Sequence, residues 1–165
     1  MREGWTRTAD GTLYKLNQLE KYYQKGWLRF GNRSIRAEDK LSAGLQLQRD
    51  FYKSGLFTMK AIDLEKARVD TSINAELPPE IWDARKRFFN ALRAVKSDNL
   101  KAVQIVVLDD KPIVIAKESA VQYAHDHALA QHFLCCGLDD LAIHYGCKPV
   151  KAKVVGFNKA NFWEE

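Results

Sequence analysis

SAVQYAHDHALAQHFLCCGLDDLAIHYG, residues 119–146, is the longest stretch with one unbroken period, and the fold class turns on it. Val121, Ala124, Ala128, Leu129, Phe133, Leu134, Leu138, Leu141 and Tyr145 return every three or four residues, the spacing that puts apolar side chains on one side of an α-helix. Ser119 suits the opening cap and Gly146 the exit, so the stretch predicts a long helix, with Gly137 as the place where it would kink.

Working outward from it, the same reading gives more helix. Leu16, Leu19, Tyr22 and Tyr23 predict a first helix from Tyr14 to Lys25 that turns out at Gly26. Leu41, Leu45, Leu47 and Phe51, with Glu38 and Asp39 in the first turn, predict a second over Ala37 to Ser54. Pro78 and Pro79 open a third, whose apolar side is Ile81, Trp82, Phe88, Phe89, Leu92 and Val95. Ala102 to Leu108 is rich in β-branched residues yet keeps Val103, Val106 and Val107 on one helical side, and reads as a short buried helix with Asp98 as a cap upstream. Asp109, Asp110 and Pro112 then mark a turn, Ile113 to Ile115 a brief extended piece, and residues 57–77 an irregular connection. The fold expected is mainly α: a compact multi-helix domain over 13–147, with a flexible lead-in at 1–12 and a lysine-rich extended tail at 148–165. In that tail Val150, Ala152 and Val154 alternate with lysine.

A 165-residue chain with 46% hydrophobic residues can close one core. No run is long enough to span a membrane and the start is too polar for a signal peptide, so a cytoplasmic protein is expected. Three cysteines and no export signal argue for thiols over disulfides.

Charge is segregated. Residues 1–60 hold 12 Lys and Arg against 6 Asp and Glu, while residues 61–165 hold 14 against 15. Cations interleaved with Tyr22, Tyr23, Trp27 and Phe30 are the footprint of a surface that docks on phosphates and releases their condensed counterions. The candidate phosphate contacts are Lys25, Arg29, Arg33, Arg36 and Lys40, extended by Arg85, Lys86 and Arg87. The third helix, the short helix and the turn after it trace a helix-turn-helix outline, flanked by Arg85, Lys86, Arg87, Arg93, Lys96 and Lys101.

Other chemistry is poorly supported. All four histidines and all three cysteines fall between 125 and 147, where His132, Cys135, Cys136, His144 and Cys147 imitate zinc-ligand pairs. One continuous helix would spread them over more than three turns, so no metal, cofactor or catalytic residue is assigned and no enzyme is expected. Cys136 with His132 is the one nearby thiol and base, and a helix interior does little to stabilise a thiolate. Asp109 with Asp110 and Asp139 with Asp140 more often cap or solvate a turn than hold a cation.

Three blocks taken in order resemble a family. They are Ser42-Ala43-Gly44-Leu45-Gln46-Leu47-Gln48-Arg49-Asp50-Phe51 with Leu56, then Asp83-Ala84-Arg85 through Leu92, then Leu138-Asp139-Asp140-Leu141-Ala142-Ile143-His144-Tyr145-Gly146. Together they are similar to a domain of unknown function found in alphaproteobacterial and prophage-related transcription regulators of the gene transfer agent activation type. The resemblance implies a mostly helical regulator associated with double-stranded DNA and acting with RNA polymerase, and it supplies no catalytic residues. A homodimer is compatible with such a role. The alternative is a phage-derived protein-interaction module that does not bind DNA itself. There Phe157, Phe162 and Trp163 in the tail would dock on RNA polymerase or another protein.

Overall fold

A computed structural model describes residues 5–32, 34–58, 78–115 and 119–148. Of the expected irregular connection over 57–77 only Phe57 and Thr58 fall within these residues, in a 3-10 turn Leu56–Thr58; the rest of it, nearly all of the lysine-rich tail and Arg33 lie outside them. Within them the protein is mainly α and compact: α1 Gln18–Gln24, α2 Ala37–Lys53, α3 Pro79–Ala94, α4 Ser97–Val103 and α5 Ala120–His144. A short hairpin precedes the helices, with Trp5–Arg7 pairing antiparallel to Leu13–Lys15. It occupies part of the expected lead-in and takes the first residues of the expected first helix.

Local chemistry explains where α1 begins. Asn17 and Glu20 form a reciprocal capping box, each side chain accepting from the other's backbone amide at 2.8 Å, which satisfies two donors that a helix start leaves orphaned. The helix therefore opens after Asn17, three residues past Tyr14. It closes as expected at Gly26, where φ is +76°.

Helix α2 is the central element, packed against α1, α3 and α5. Leu47 shares one continuous core with the buried side chains of Leu19, Leu28, Phe88, Leu92, Val103, Leu134 and Leu138. The β-branched run after α4 stays helical but widens into a π turn over Gln104–Leu108. Its Val106 and Val107 are buried, and Gln48 Nε2 donates to the Val107 carbonyl at 3.1 Å. Asp98 sits in the first turn of α4, where Lys96 takes the cap position and donates its amide to Asp140 at 3.2 Å. The turn and the residues after it dock on α1: Gln18 donates its amide to Asp110 at 2.6 Å, and Ile113 donates its amide to the Tyr22 hydroxyl at 3.0 Å.

Helix α5 starts at the Ser119 cap, whose hydroxyl accepts from the Gln122 amide at 3.1 Å, and runs 25 residues without a break. The helix continues through Gly137. A Cβ at that position would come within 2.5 Å of Val103 Cγ2 and 3.3 Å of Asn99 Cβ, so the glycine lets α4 and α5 approach closely. The buried positions of α5 begin at Gln131. The first half, Ala120 to Ala130, is largely exposed, with Val121 at 83% and Leu129 at 42%.

The helix-turn-helix outline is not established by this arrangement. Only Val95 and Lys96 separate α3 from α4, and residues 109–119 lie between the π turn and α5. That second connection is longer than the usual three- or four-residue turn.

Candidate nucleic-acid interface

The candidate phosphate contacts divide into separate environments. Lys25 and Arg29 are exposed, one at the end of α1 and the other closing the 3-10 turn Trp27–Arg29. Arg36 precedes α2 and is also exposed, but its guanidinium is engaged by Asp39, with Nε to Oδ2 at 3.1 Å and Nη2 to Oδ1 at 3.3 Å. Tyr23 donates its hydroxyl to Glu38 at 3.2 Å, and that bond pushes its phenol up. Carboxylates thus interrupt the cationic surface that the sequence suggested here.

Lys40 has to be removed from the candidates. Its side chain is fully buried, with Nζ 3.0 Å from Asp139 Oδ1 and donating to the Phe30 carbonyl. The other Asp139 oxygen accepts from the Asn32 amide at 2.8 Å. Burial pushes the Asp139 carboxyl up, against the pull of the Asn32 amide and the Lys40 ammonium. Trp27 is tied down nearby, its carbonyl accepting from Gln131 Nε2 and from the Cys135 thiol, each at 3.2 Å. The group therefore fastens the 27–32 loop between α2 and α5. The sequence did hold a signal: Lys40 shares helical spacing with Ala43, Gly44 and Leu47, all buried.

The second set centres on α3. Asp50 is buried in α2 and is met by Arg87 Nε at 3.2 Å and by the Tyr145 hydroxyl at 3.4 Å. Burial, with Asp50 beside it, pushes the Tyr145 phenol well above its ordinary value. Arg85 donates to the Ser54 carbonyl at 3.0 Å. Lys86 is exposed, and Arg87 keeps 52% of its side chain in solvent while holding Asp50.

Arg36, capping the start of α2, and Asp50 within it are 14 residues apart, roughly 21 Å along the helix axis. The seven candidates within the described residues do not make one basic face. A denser group begins at Lys86. From there to Lys101 the exposed charged residues are Lys86, Arg87, Arg93, Lys96 and Lys101, with Asp98 the one acid among them. Asn90 is exposed on the same side of α3, four residues after Lys86 and three before Arg93.

The histidines and cysteines do not gather. Among the described residues no three or more His, Cys, Asp or Glu side chains converge to hold a metal ion. His127 packs edge-on against Trp27, with ring centroids 4.5 Å apart, and that indole also stacks on Tyr22 at 4.2 Å. Cys135 is buried, and burial pushes its thiol up to about 11. Of these histidines and cysteines only His132 and Cys136 meet, with Sγ 3.6 Å from Nε2 and 3.8 Å from Nδ1 on an outward side of α5. No described helix is long and apolar enough to cross a membrane.

No family model, curated protein or solved structure matches the chain.

Proposed function

We propose that the protein is a DNA-associated transcription regulator that grips the phosphate backbone through the outer side of α3 and α4. One observation carries this reading: between Lys86 and Lys101, along the end of α3, its link to α4 and α4 itself, five exposed cations face one exposed acid, Arg87 among them also holding Asp50. Cations held on a rigid scaffold can each displace condensed counterions, and Asn90 among them offers an amide of the kind that pairs with adenine edges. Lys25 and Arg29 add a smaller contribution at the other end of α2. The regulatory part of the proposal, with RNA polymerase as partner and a phage-related, cytoplasmic setting, rests on the three sequence blocks. The competing interaction-module reading depends on the tail aromatics, which lie outside the described residues.

The test is fluorescence anisotropy with a mixed-sequence duplex at low and physiological salt. Affinity should fall steeply as salt rises. Replacing Lys86, Lys96 and Lys101 with alanine together should flatten the slope of log affinity against log salt by about 0.9 for each phosphate no longer neutralised. Absence of binding at low salt would end the proposal.

A further inference from the structure

Two aromatic rings stand in solvent side by side at the C-terminal end of α2, and the grip through α3 and α4 leaves them unused. Tyr52 is 50% exposed and Phe57 54%, with ring centroids 5.6 Å apart and planes 64° to each other. The pair is anchored. Tyr52 also packs on Phe51 at 5.9 Å, and Phe51 in turn packs on the fully buried Phe88 at 5.3 Å.

Their surroundings are cationic. From Ser42 to Phe57 the exposed charged residues are Arg49 and Lys53, and the one acid, Asp50, is buried and met by Arg87. Arg49 bonds the Gln46 side chain at 3.1 Å, a neutral partner that leaves the guanidinium charge in place. Arg85 brings a further guanidinium to the same end of α2, donating to the Ser54 carbonyl at 3.0 Å. The exposed acids in the first turns of α3, Glu80 and Asp83, lie about 140° and 160° around that helix from Arg85.

We propose that this patch binds single-stranded DNA, with Tyr52 and Phe57 each stacking on an unpaired base while Arg49, Lys53 and Arg85 meet the backbone phosphates. The rings select unpaired bases. A duplex keeps its bases stacked and paired, out of reach of a side-chain ring, whereas a single strand splays successive bases onto aromatic platforms. Planes 64° apart deny one base two parallel partners, so each ring takes a base of its own and the strand turns between them. Charge complementarity names the polymer. Cations alone would suit any polyanion, but cations interleaved with exposed rings match a chain that alternates phosphates with π faces. The inference deepens the DNA-associated reading and rests on it for its setting, adding a site for a melted strand on residues that the duplex grip does not use.

The experiment is fluorescence anisotropy on the full chain, comparing a short labelled oligothymidylate with an oligomer of equal length and charge built from abasic sites. The parent should hold the oligothymidylate at least about tenfold more tightly. Tyr52→Ala and Phe57→Ala should each weaken that binding about tenfold and leave the abasic oligomer unaffected, while Tyr52→Phe keeps the parent's affinity. Arg49→Ala combined with Lys53→Ala should weaken both oligomers and flatten the salt slope by about 0.7 for each phosphate released. The proposal is overturned by equal affinity for the two oligomers, by alanine variants that bind like the parent, or by a Tyr52→Phe variant as weak as Tyr52→Ala. A chain that ignores duplex yet prefers bases to abasic sugars supports this site and retires only the grip through α3 and α4. The reverse result retires this site alone.

Discussion

Lys40 Nζ and Asp139 Oδ1 meet 3.0 Å apart where the lysine side chain is wholly shielded from solvent and the aspartate keeps 8% of its surface. A pair in this setting gives little net stability over an apolar substitute, but losing one member strands the other in the core. Lys40→Met or Asp139→Leu alone should cost about 3–5 kcal/mol. The double variant should cost clearly less than the sum, as read by urea unfolding in a double-mutant cycle. Additive losses would mean that the two charges are solvated independently.

Gly137 tests packing against hinge. At a kink or an unconstrained helical position, Gly137→Ala would gain about 1 kcal/mol from helix propensity. Here the new methyl meets Val103 Cγ2 at 2.5 Å, so the outcome should be a net loss of about 1–3 kcal/mol. Thermal and urea melts decide the sign.

Cys135 makes stability sensitive to alkali. Its thiol is pushed by burial from 9.0 to about 11, with Lys40 opposing and Asp139 adding to the shift. Below pH 9.0 the thiol is neutral in both folded and unfolded chains and contributes no slope. Between 9.0 and about 11 the unfolded chain ionises first, so stability falls as pH rises through that window. The loss should be on the order of 2 kcal/mol, and Cys135→Ala should flatten it in urea titrations across that range.

The two basic regions separate by mutation. The triple substitution of Lys86, Lys96 and Lys101 by alanine should weaken DNA binding more than the pair Lys25→Ala and Arg29→Ala, measured by anisotropy at one fixed salt concentration. Equal effects would return the weight to the N-terminal surface.

The helices were readable wherever a local rule governs. Ser119, Gly26 and the apolar spacing of α2 mark boundaries within a residue or two, because caps and periodicity act over one turn. The Trp5–Arg7 strand carries a weak signal, since three residues leave little room for alternation. The site was less legible. Whether a lysine on a helix faces water depends on what packs over it, and for Lys40 that is a carboxylate 99 positions later in the chain. Arg87 and Asp50 likewise meet across 37 positions. A linear count of charge cannot distinguish such partners from free cations. Lys86, Arg87, Arg93, Lys96 and Lys101, by contrast, were legible as cations around the third and short helices, and the structure leaves all five exposed.

The bonds to the 27–32 loop have a consequence for biosynthesis. Asn32 is held by Asp139 across 107 positions, and Trp27 by Cys135 and Gln131 across 108 and 104. During translation these early residues leave the ribosome long before their anchors exist. These contacts therefore cannot form until α5 has been synthesised, and until then Lys40 lacks its Asp139 partner.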